Sequence, residues 1–116
     1  MIEIRPDQME IFEERSRASF VRRAAAYLRE AHEAALSAID EPALEALIHR
    51  QSAVAQGYGL SSELAVMQFI EIGLAFGEDF HGARKYPRAE EILGSRRDGA
   101  AKIRELLQAA ERGFEP

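Results

Sequence analysis

The sequence predicts an all-α fold, a single compact bundle of about five helices. Residues Leu64 to Phe76 are apolar apart from Gln68 and Glu71, and a helix that is apolar on nearly every side must be enclosed by other helices. The segments on both sides of it repeat apolar residues at helical spacing, whereas strand-like alternation is confined to the first five residues. We therefore expect a central apolar helix, about residues 62–77, with the other helices packed around it.

Length and composition agree with one domain. A chain of 116 residues can bury one hydrophobic core without cross-links, and two full domains would not fit. Its apolar share of 47% and charged share of 30% are those of a globular chain and exclude intrinsic disorder. We expect residues 1–116 to fold as one helical domain.

Charge and cysteine content exclude several classes of function. A net charge of −5 offers no basic field for nucleic acid or anionic lipid. The absence of cysteine excludes disulfides, thiolate nucleophiles and zinc sites built from cysteine. The central apolar run is too short to cross a membrane, and the N-terminal residues lack the layout of a secretory signal. The sequence predicts a soluble cytoplasmic protein without nucleic-acid or membrane partners.

The chain begins with a pattern of period two. Ile2 and Ile4 alternate with charged residues, which is typical of a short extended segment. We interpret residues 1–5 as an extended N-terminal arm. It either lies on its own domain or pairs with a strand of a partner.

A long first helix follows, over about residues 6–37. Pro6 and Asp7 are a helix start signal, because proline fits the first helical position and an acidic side chain favours the positive end of the helix dipole. One stripe of this helix carries Met9, Phe12, Ser16, Phe20, Tyr27, Ala31 and Ala35. Arginine and glutamate alternate on its outside, which indicates a solvated face of mixed charge. A helix of about thirty residues would be about 45 Å long, so one end is expected to project.

The second helix is bounded by recognisable signals at both ends. Asp40 is the candidate N-cap and Pro42 fits the first turn. Apolar residues then recur at helical spacing until Gly57 or Gly59, where glycine permits a C-terminal cap. The short connection to the central helix superficially resembles a helix-turn-helix. Its second helix carries no Lys or Arg to contact DNA, so we interpret it as an αα-hairpin.

The central helix is capped by Ser61 or Ser62 and contains Gly73, which costs about 1 kcal/mol relative to alanine. We infer from Gly73 that another helix crosses close to it. Gln68 and Glu71 lie on one side of this helix. That polar strip either reaches solvent or meets an Arg or Tyr of a neighbouring helix, or it lines a groove that binds a partner.

Two shorter helices complete the prediction. Residues 77–82 form a loop, and Pro87 then starts a short helix that ends at Gly94. Asp98 caps the last helix, which ends at Gly113. No internal repeat or low-complexity tract is visible.

No arrangement of residues predicts catalysis. Glu78, Asp79 and His81 lie within four residues, but they lack the spacing of a zinc helix or a calcium loop, and we interpret them as part of a capped, solvated loop. The serines lack a nucleophile elbow and the glycines lack a phosphate-binding pattern. We predict a protein that is not an enzyme, with no catalytic residue, no cofactor and no metal.

Four short motifs follow one another in the order of a known family. They are Ile-Arg-Pro-Asp-Gln-Met at 4–9, Gly-Tyr-Gly-Leu-Ser at 57–61, Ala-Phe-Gly-Glu-Asp-Phe at 75–80 and Tyr-Pro-Arg-Ala-Glu-Glu-Ile-Leu at 86–93. In these motifs the chain resembles a family of small all-helical proteins encoded beside type VI secretion spike, PAAR-tip and effector genes in Gram-negative bacteria. The resemblance implies a cytoplasmic accessory protein that helps an effector or spike component to load.

Three hypotheses of function remain open at this point. The first is a protein-binding accessory, an adaptor or chaperone-like protein, for a type VI secretion effector or spike component. The second is an immunity protein that neutralises a cognate toxin, because negative charge speeds association with a basic partner. The third is a structural homo-oligomer.

All three hypotheses depend on surfaces, and aromatic and arginine residues are the usual energetic anchors of interfaces. The candidate partner-binding residues lie on the arm, on the outside of the first helix and in the loop after the central helix: Ile2, Ile4, Arg15, Arg22, Arg23, Glu78, Asp79, Phe80 and Tyr86.

Overall fold

A computed structural model describes residues 14–82 and 84–115, with side chains from residue 17 onward apart from residues 83 and 116. This part of the chain contains six α-helices and no strand, and it confirms the predicted all-α bundle. The helices are α1 Glu14–Ala31, α2 Glu33–Leu36, α3 Glu41–Gly57, α4 Glu63–Phe76, α5 Pro87–Leu93 and α6 Gly99–Glu111. The predicted arm at residues 1–5 and the helix start at Pro6 lie outside the described residues.

The predicted central helix is α4. Its N-cap is Ser62, whose Oγ accepts a hydrogen bond from the backbone N–H of Ala65 at 3.1 Å, and it ends where Gly77 adopts a φ of +112°. Val66, Phe69 and Ile70 are almost completely buried, because α4 packs against both α3 and α6. The central position that its apolar composition predicts is therefore correct.

The first helix is shorter at its C-terminal end than predicted. It ends at Ala31, and after a turn at His32 the chain forms the four-residue helix α2. The guanidinium of Arg29 donates hydrogen bonds to the backbone carbonyls of Leu36, at 2.6 Å, and of Ile39. In one straight helix Leu36 would lie about 12 Å beyond Leu28. After the turn at His32, Leu36 lies in the core, where it is 1% exposed.

The buried stripe of α1 also differs from the predicted one. The buried residues are Phe20, Val21, Ala24, Ala25 and Leu28, whereas Tyr27, Ala31 and Ala35 of the predicted stripe are exposed. The stripe is rotated toward the side of α1 that faces α3. This rotation places Tyr27 at the margin of the helix contact instead of inside it.

The second predicted helix corresponds to α3 and begins as expected. Oδ1 of Asp40 accepts a hydrogen bond from the N–H of Ala43 at 2.9 Å. Near its middle, the buried side chain of Gln51 donates to the backbone carbonyl of Glu78 at 2.9 Å and lies directly over Gly73 of α4. A Cβ at Gly73 would lie 3.1 Å from Nε2 of Gln51. The close crossing inferred from Gly73 is therefore present, and α3 supplies it.

The last two helices close the bundle. Asp98 caps α6 by accepting from the N–H of Ala101 at 2.8 Å. A side chain at Gly99 would overlap the backbone carbonyl of Gly59, so the start of α6 rests directly on the turn between α3 and α4. Buried residues from all six helices form one hydrophobic cluster. None of the described helices has the length and apolar content to cross a membrane.

Candidate functional site

In the described part of the chain, two large apolar side chains are exposed. Leu64 is 67% exposed at the start of α4, and Tyr27 is 47% exposed on α1. They border a groove of 440 Å³ between the two helices, which we call the α1–α4 groove. Its lining is Phe20, Arg23, Ala24, Tyr27, Leu64, Met67, Gln68 and Glu71. A surface depression with apolar walls and a charged edge is typical of a protein contact site.

An ion pair forms one edge of this groove. The guanidinium of Arg23 donates two hydrogen bonds to the carboxylate of Glu63, at 2.9 and 2.8 Å. This contact raises the pKa of Arg23 and lowers the pKa of Glu63. Because both side chains are largely exposed, the pair orients the edge of the groove and contributes little to folding.

Glu71 lies at the other edge of the α1–α4 groove. Its Oε2 accepts a hydrogen bond from the hydroxyl of Tyr27 at 3.1 Å and lies 2.8 Å from Nε2 of His32. The hydrogen bond to Glu71, together with its negative charge, raises the pKa of Tyr27. Of the alternatives for the polar strip on α4, Glu71 meets a Tyr of a neighbouring helix, and Gln68 lines a groove.

A second groove, of 950 Å³, lies between α4 and α6, and we call it the α4–α6 groove. Leu64 and Gln68 line both grooves, so they form a ridge between them, the Leu64 ridge. The wall on the α6 side contains Lys102, whose side chain is buried and whose Nζ donates to the backbone carbonyl of Tyr58 at 2.8 Å. The two grooves and the ridge make one continuous surface at the N-terminal end of α4.

A third groove, of 750 Å³, lies between α5 and α6 and is mainly acidic. It is lined by Arg88, Glu91, Glu105, Gln108, Ala109, Glu111, Arg112 and Glu115. Two of its carboxylates are paired, Glu91 with Arg88 at 2.8 Å and Glu105 with Arg97. Its remaining carboxylates give this side of the molecule a negative field.

The predicted partner-binding residues are spread over both ends of α4. Arg22 and Arg23 are exposed on α1, and Arg23 forms the edge of the α1–α4 groove. The positions of Ile2 and Ile4, and the side chain of Arg15, lie outside the described residues. Glu78 and Asp79 are exposed in the loop after α4. Since α4 has 14 residues and is about 21 Å long, that loop and Leu64 lie at opposite ends of it.

The loop after α4 is tied down by the helices beneath it. Glu78 accepts two hydrogen bonds from the guanidinium of Arg50, at 2.7 and 3.0 Å, and this contact lowers its pKa. Nδ1 of His81 lies 3.0 Å from the hydroxyl of Tyr58, whose pKa is raised by burial and by the negative charge of Glu90. Within the described residues, no three His, Asp or Glu side chains are grouped so that they could hold a metal ion.

The two aromatic residues predicted for this surface pack inward. Phe80 is 1% exposed, with its ring centre 5.1 Å from that of Phe69 and 5.9 Å from that of Phe114. The prediction that places Phe80 at the surface is wrong, because the turn after Gly77 folds the loop back over α4. Tyr86 is half-buried against Phe114, with 5.4 Å between the ring centres.

Leu64, Met67 and Tyr27 line the α1–α4 groove, whereas the sequence predicts the first two for the enclosed central helix and Tyr27 for the apolar stripe of the first helix. Leu64 and Tyr27 are exposed, and Met67 is partly buried against the core. A usable signal was present, because Leu64, Met67, Gln68 and Glu71 are spaced i, i+3, i+4, i+7 and share one face of the helix. The polar residues of that face mark where α4 reaches solvent.

Comparison with known proteins adds no identification. The chain matches no protein-family model, no curated protein and no solved structure at a significant level of similarity.

Proposed function

We propose that this chain is a cytoplasmic, non-enzymatic protein-binding accessory, an adaptor or chaperone-like protein, for a type VI secretion effector or spike component. The observation that supports binding is the Leu64 ridge, an exposed leucine between two grooves on the central helix. The secretion system and the type of partner come from the four sequence motifs and their resemblance to proteins encoded beside spike and effector genes.

The energetics of Leu64 support a contact role. Complete burial of a leucine side chain contributes about 1.5–3 kcal/mol, and most of that contribution is unused while Leu64 is 67% exposed. A partner that covers the ridge would gain it. In the free protein, a polar residue at this exposed position would serve as well for folding.

Tyr27 supports the same role from the opposite wall. Tyrosine is one of the residues that most often dominate the energy of an interface. The hydrogen bond to Glu71 fixes the phenol before any partner arrives. A fixed aromatic side chain loses less conformational entropy on binding, so more of its contact energy contributes to affinity.

The test is a pull-down of the tagged chain from its native host, with Leu64→Asp compared with the wild type. We expect the wild type to recover an effector or spike protein in stoichiometric amount, and Leu64→Asp to lose at least nine-tenths of it, since a carboxylate would be buried without a partner. Ala53→Asp is the matched control, because it adds the same charge at an exposed position of α3.

Two results would contradict the proposal. One is recovery of the chain without any effector or spike protein. The other is equal recovery by Leu64→Asp and Ala53→Asp, which would exclude the ridge. Thermal unfolding of both variants, followed by circular dichroism, checks that each is folded.

A second candidate function is an immunity protein for a cognate toxin. The groove between α5 and α6, with four carboxylates and two guanidinium groups in its lining, favours it, since an acidic surface speeds association with a basic toxin. Co-expression with the neighbouring toxin gene separates the two functions. An immunity protein protects the cells, and Glu111→Lys combined with Glu115→Lys should weaken that protection, whereas an adaptor gives none.

A structural homo-oligomer is the third candidate function. Light scattering of the pure protein measures the oligomeric state and tests it. A dimer that Leu64→Asp converts to a monomer would assign the ridge to self-association instead of an external partner.

A further inference from the structure

The break between α1 and α2 lies in a stretch of sequence that contains no helix breaker. Residues 14–40 include no glycine and no proline, and sharp bends in helices normally occur at proline, at glycine with serine, or where another group enters the hydrogen-bond ladder. Residues 26–36 are mostly Ala, Leu, Arg and Glu, which are among the strongest helix formers. The local sequence therefore favours one continuous helix through this region.

The departure from helical geometry is at His32. Its φ of −128° and ψ of 43° are not helical. Hydrogen bonds of helical spacing persist on both sides of it, because its N–H donates to the carbonyl of Leu28 at 2.8 Å and its carbonyl accepts from the N–H of Leu36 at 3.1 Å. Since a residue has only two soft backbone dihedral angles, a change in those of His32 would join α1 and α2 in one helix.

Side-chain contacts favour the bent geometry instead. Leu36 is 1% exposed in the core, and the guanidinium of Arg29 donates to the carbonyls of Leu36 and Ile39 across the bend. Nε2 of His32 lies 2.8 Å from Oε2 of Glu71 on α4. In a straight continuation of α1, Leu36 would leave the core. Local helix preference and tertiary contacts thus favour different forms of the same segment.

The contact between His32 and Glu71 is the one that a partner can reach. The two side chains are 32% and 28% exposed, and the same carboxylate oxygen accepts a hydrogen bond from Tyr27 at 3.1 Å. Glu71 and Tyr27 also line the α1–α4 groove. A partner that donates hydrogen bonds to Glu71 from this groove would compete with His32 for the carboxylate. Glu71 therefore belongs to both the groove and the bend.

We propose that His32 is a hinge between a bent and a straight form of residues 14–36, and that Glu71 couples this hinge to occupancy of the α1–α4 groove. The structure shows the bent form. In the straight form α1 continues to Leu36, whose side chain becomes additional apolar surface. Minor forms of this kind are populated at about 0.1–10%. The hinge is a property of the free chain, and its use as a switch for partner binding rests on the proposed function.

Relaxation-dispersion NMR of the isotope-labelled chain tests the hinge, because it detects minor forms that exchange on the μs–ms timescale. We expect exchange at the amides of residues 32–39. The Cα chemical shift of His32 in the minor form should be helical. Local unfolding of α2 would also give exchange, but with random-coil shifts, so the shift distinguishes a hinge from fraying.

Glu71→Ala removes the partner of His32 and leaves residues 14–36 unchanged. We expect it to raise the population of the straight form by at least about fivefold. Glu63→Ala is the matched control, because Glu63 is another carboxylate of α4 that contacts α1, through its pair with Arg23. It should leave the population of the straight form unchanged.

His32→Ala keeps the proposal testable if Glu71→Ala fails to fold. It removes the ring that contacts Glu71, and alanine is the strongest helix former, so both effects favour the straight form. We expect a rise in the minor population of at least about fivefold at the amide of Leu36. His49→Ala, at an exposed position of α3, is its control and should have no effect there.

Three results would overturn the inference. They are the absence of exchange at residues 32–39 in the wild type and in both variants, random-coil shifts in the minor form, and equal effects of Glu71→Ala and Glu63→Ala. All are measured on the free chain, so they are separate from the fate of the proposed function. If the hinge is present while the pull-down recovers no effector or spike protein, the hinge stands and its role in partner binding does not.

Discussion

The two ends of α4 differ in how far their apolar side chains are covered by the rest of the chain. At its C-terminal end, Phe76 packs against Tyr86 and Phe114, with ring centres 5.4 and 4.9 Å apart, and Phe80 closes the cluster from the loop. At its N-terminal end, Leu64 stays exposed between two grooves. The chain therefore covers the apolar surface of α4 with its own aromatic residues at one end and leaves it open at the other. The closed end accounts for stability, and the open end is the part of the helix that a partner can reach.

The largest expected effect is at Phe69, which lies in the middle of α4 and packs against Phe80 of the closed end. Phe69 is completely buried, and its ring contacts those of Tyr58, Phe80 and His81 at 6.3, 5.1 and 5.9 Å between centres. Phe69→Ala should lower the free energy of unfolding by about 3–5 kcal/mol, since it removes a large side chain and leaves a cavity. Urea denaturation measures it. Phe76→Ala, at a half-buried position, should cost less, and a near-neutral Phe69→Ala would exclude Phe69 from the core.

A smaller loss of stability than at Phe69 is expected at Gly99. A Cβ there would overlap the carbonyl oxygen of Gly59, so Gly99→Ala must push α6 away from the turn between α3 and α4. We expect a loss of about 1–3 kcal/mol in urea denaturation.

Gly57→Ala is the control for Gly99→Ala. It lies inside α3 with open space around its Cβ position, and it should be neutral or stabilise by up to about 1 kcal/mol. Equal effects of the two substitutions would show that the contact between Gly99 and Gly59 does not constrain the fold.

Leu64 should matter little for folding, in contrast to Leu60. Leu64→Gln is expected to change the free energy of unfolding by less than about 0.5 kcal/mol, because the side chain is mostly exposed. Leu60 is completely buried just before α4, and Leu60→Ala should cost about 2–5 kcal/mol. If both substitutions destabilise the protein equally, Leu64 packs in the core and the ridge is not available to a partner.

The smallest effect concerns acid stability. Ion pairs lower the pKa values of Glu63 and Glu78 in the folded chain below the ordinary value of 4.5. Each carboxylate therefore stabilises the fold above its unfolded pKa and loses that contribution as the pH falls through its folded pKa. Both pairs are largely exposed, so solvent screening keeps each contribution small.

Thermal unfolding between pH 7 and pH 3 measures this effect. Glu63→Gln and Glu78→Gln should each make the loss of stability below about pH 4.5 less steep than in the wild type. Unchanged acid dependence in both variants would mean that the ion pairs with Arg23 and Arg50 do not contribute in solution.

Local interactions explain which features the sequence by itself determined. Asp40, Ser62 and Asp98 each cap the helix that follows them, and Pro87 starts α5. These signals depend on a few neighbouring residues, because a cap satisfies backbone donors of its own helix. The central place of α4 was equally predictable, since a helix that is apolar on most sides requires covering.

Tertiary packing decided the rest. At the turn of His32, the guanidinium of Arg29 donates to the carbonyls of Leu36 and Ile39, a contact that helical spacing does not reveal. Phe80 is buried because its loop folds over α4. Leu64 is exposed because neither α1 nor α6 reaches the first turn of α4 closely enough to cover it. Hydrophobicity states which side chains favour burial, but only the relative positions of the helices determine which of them are covered.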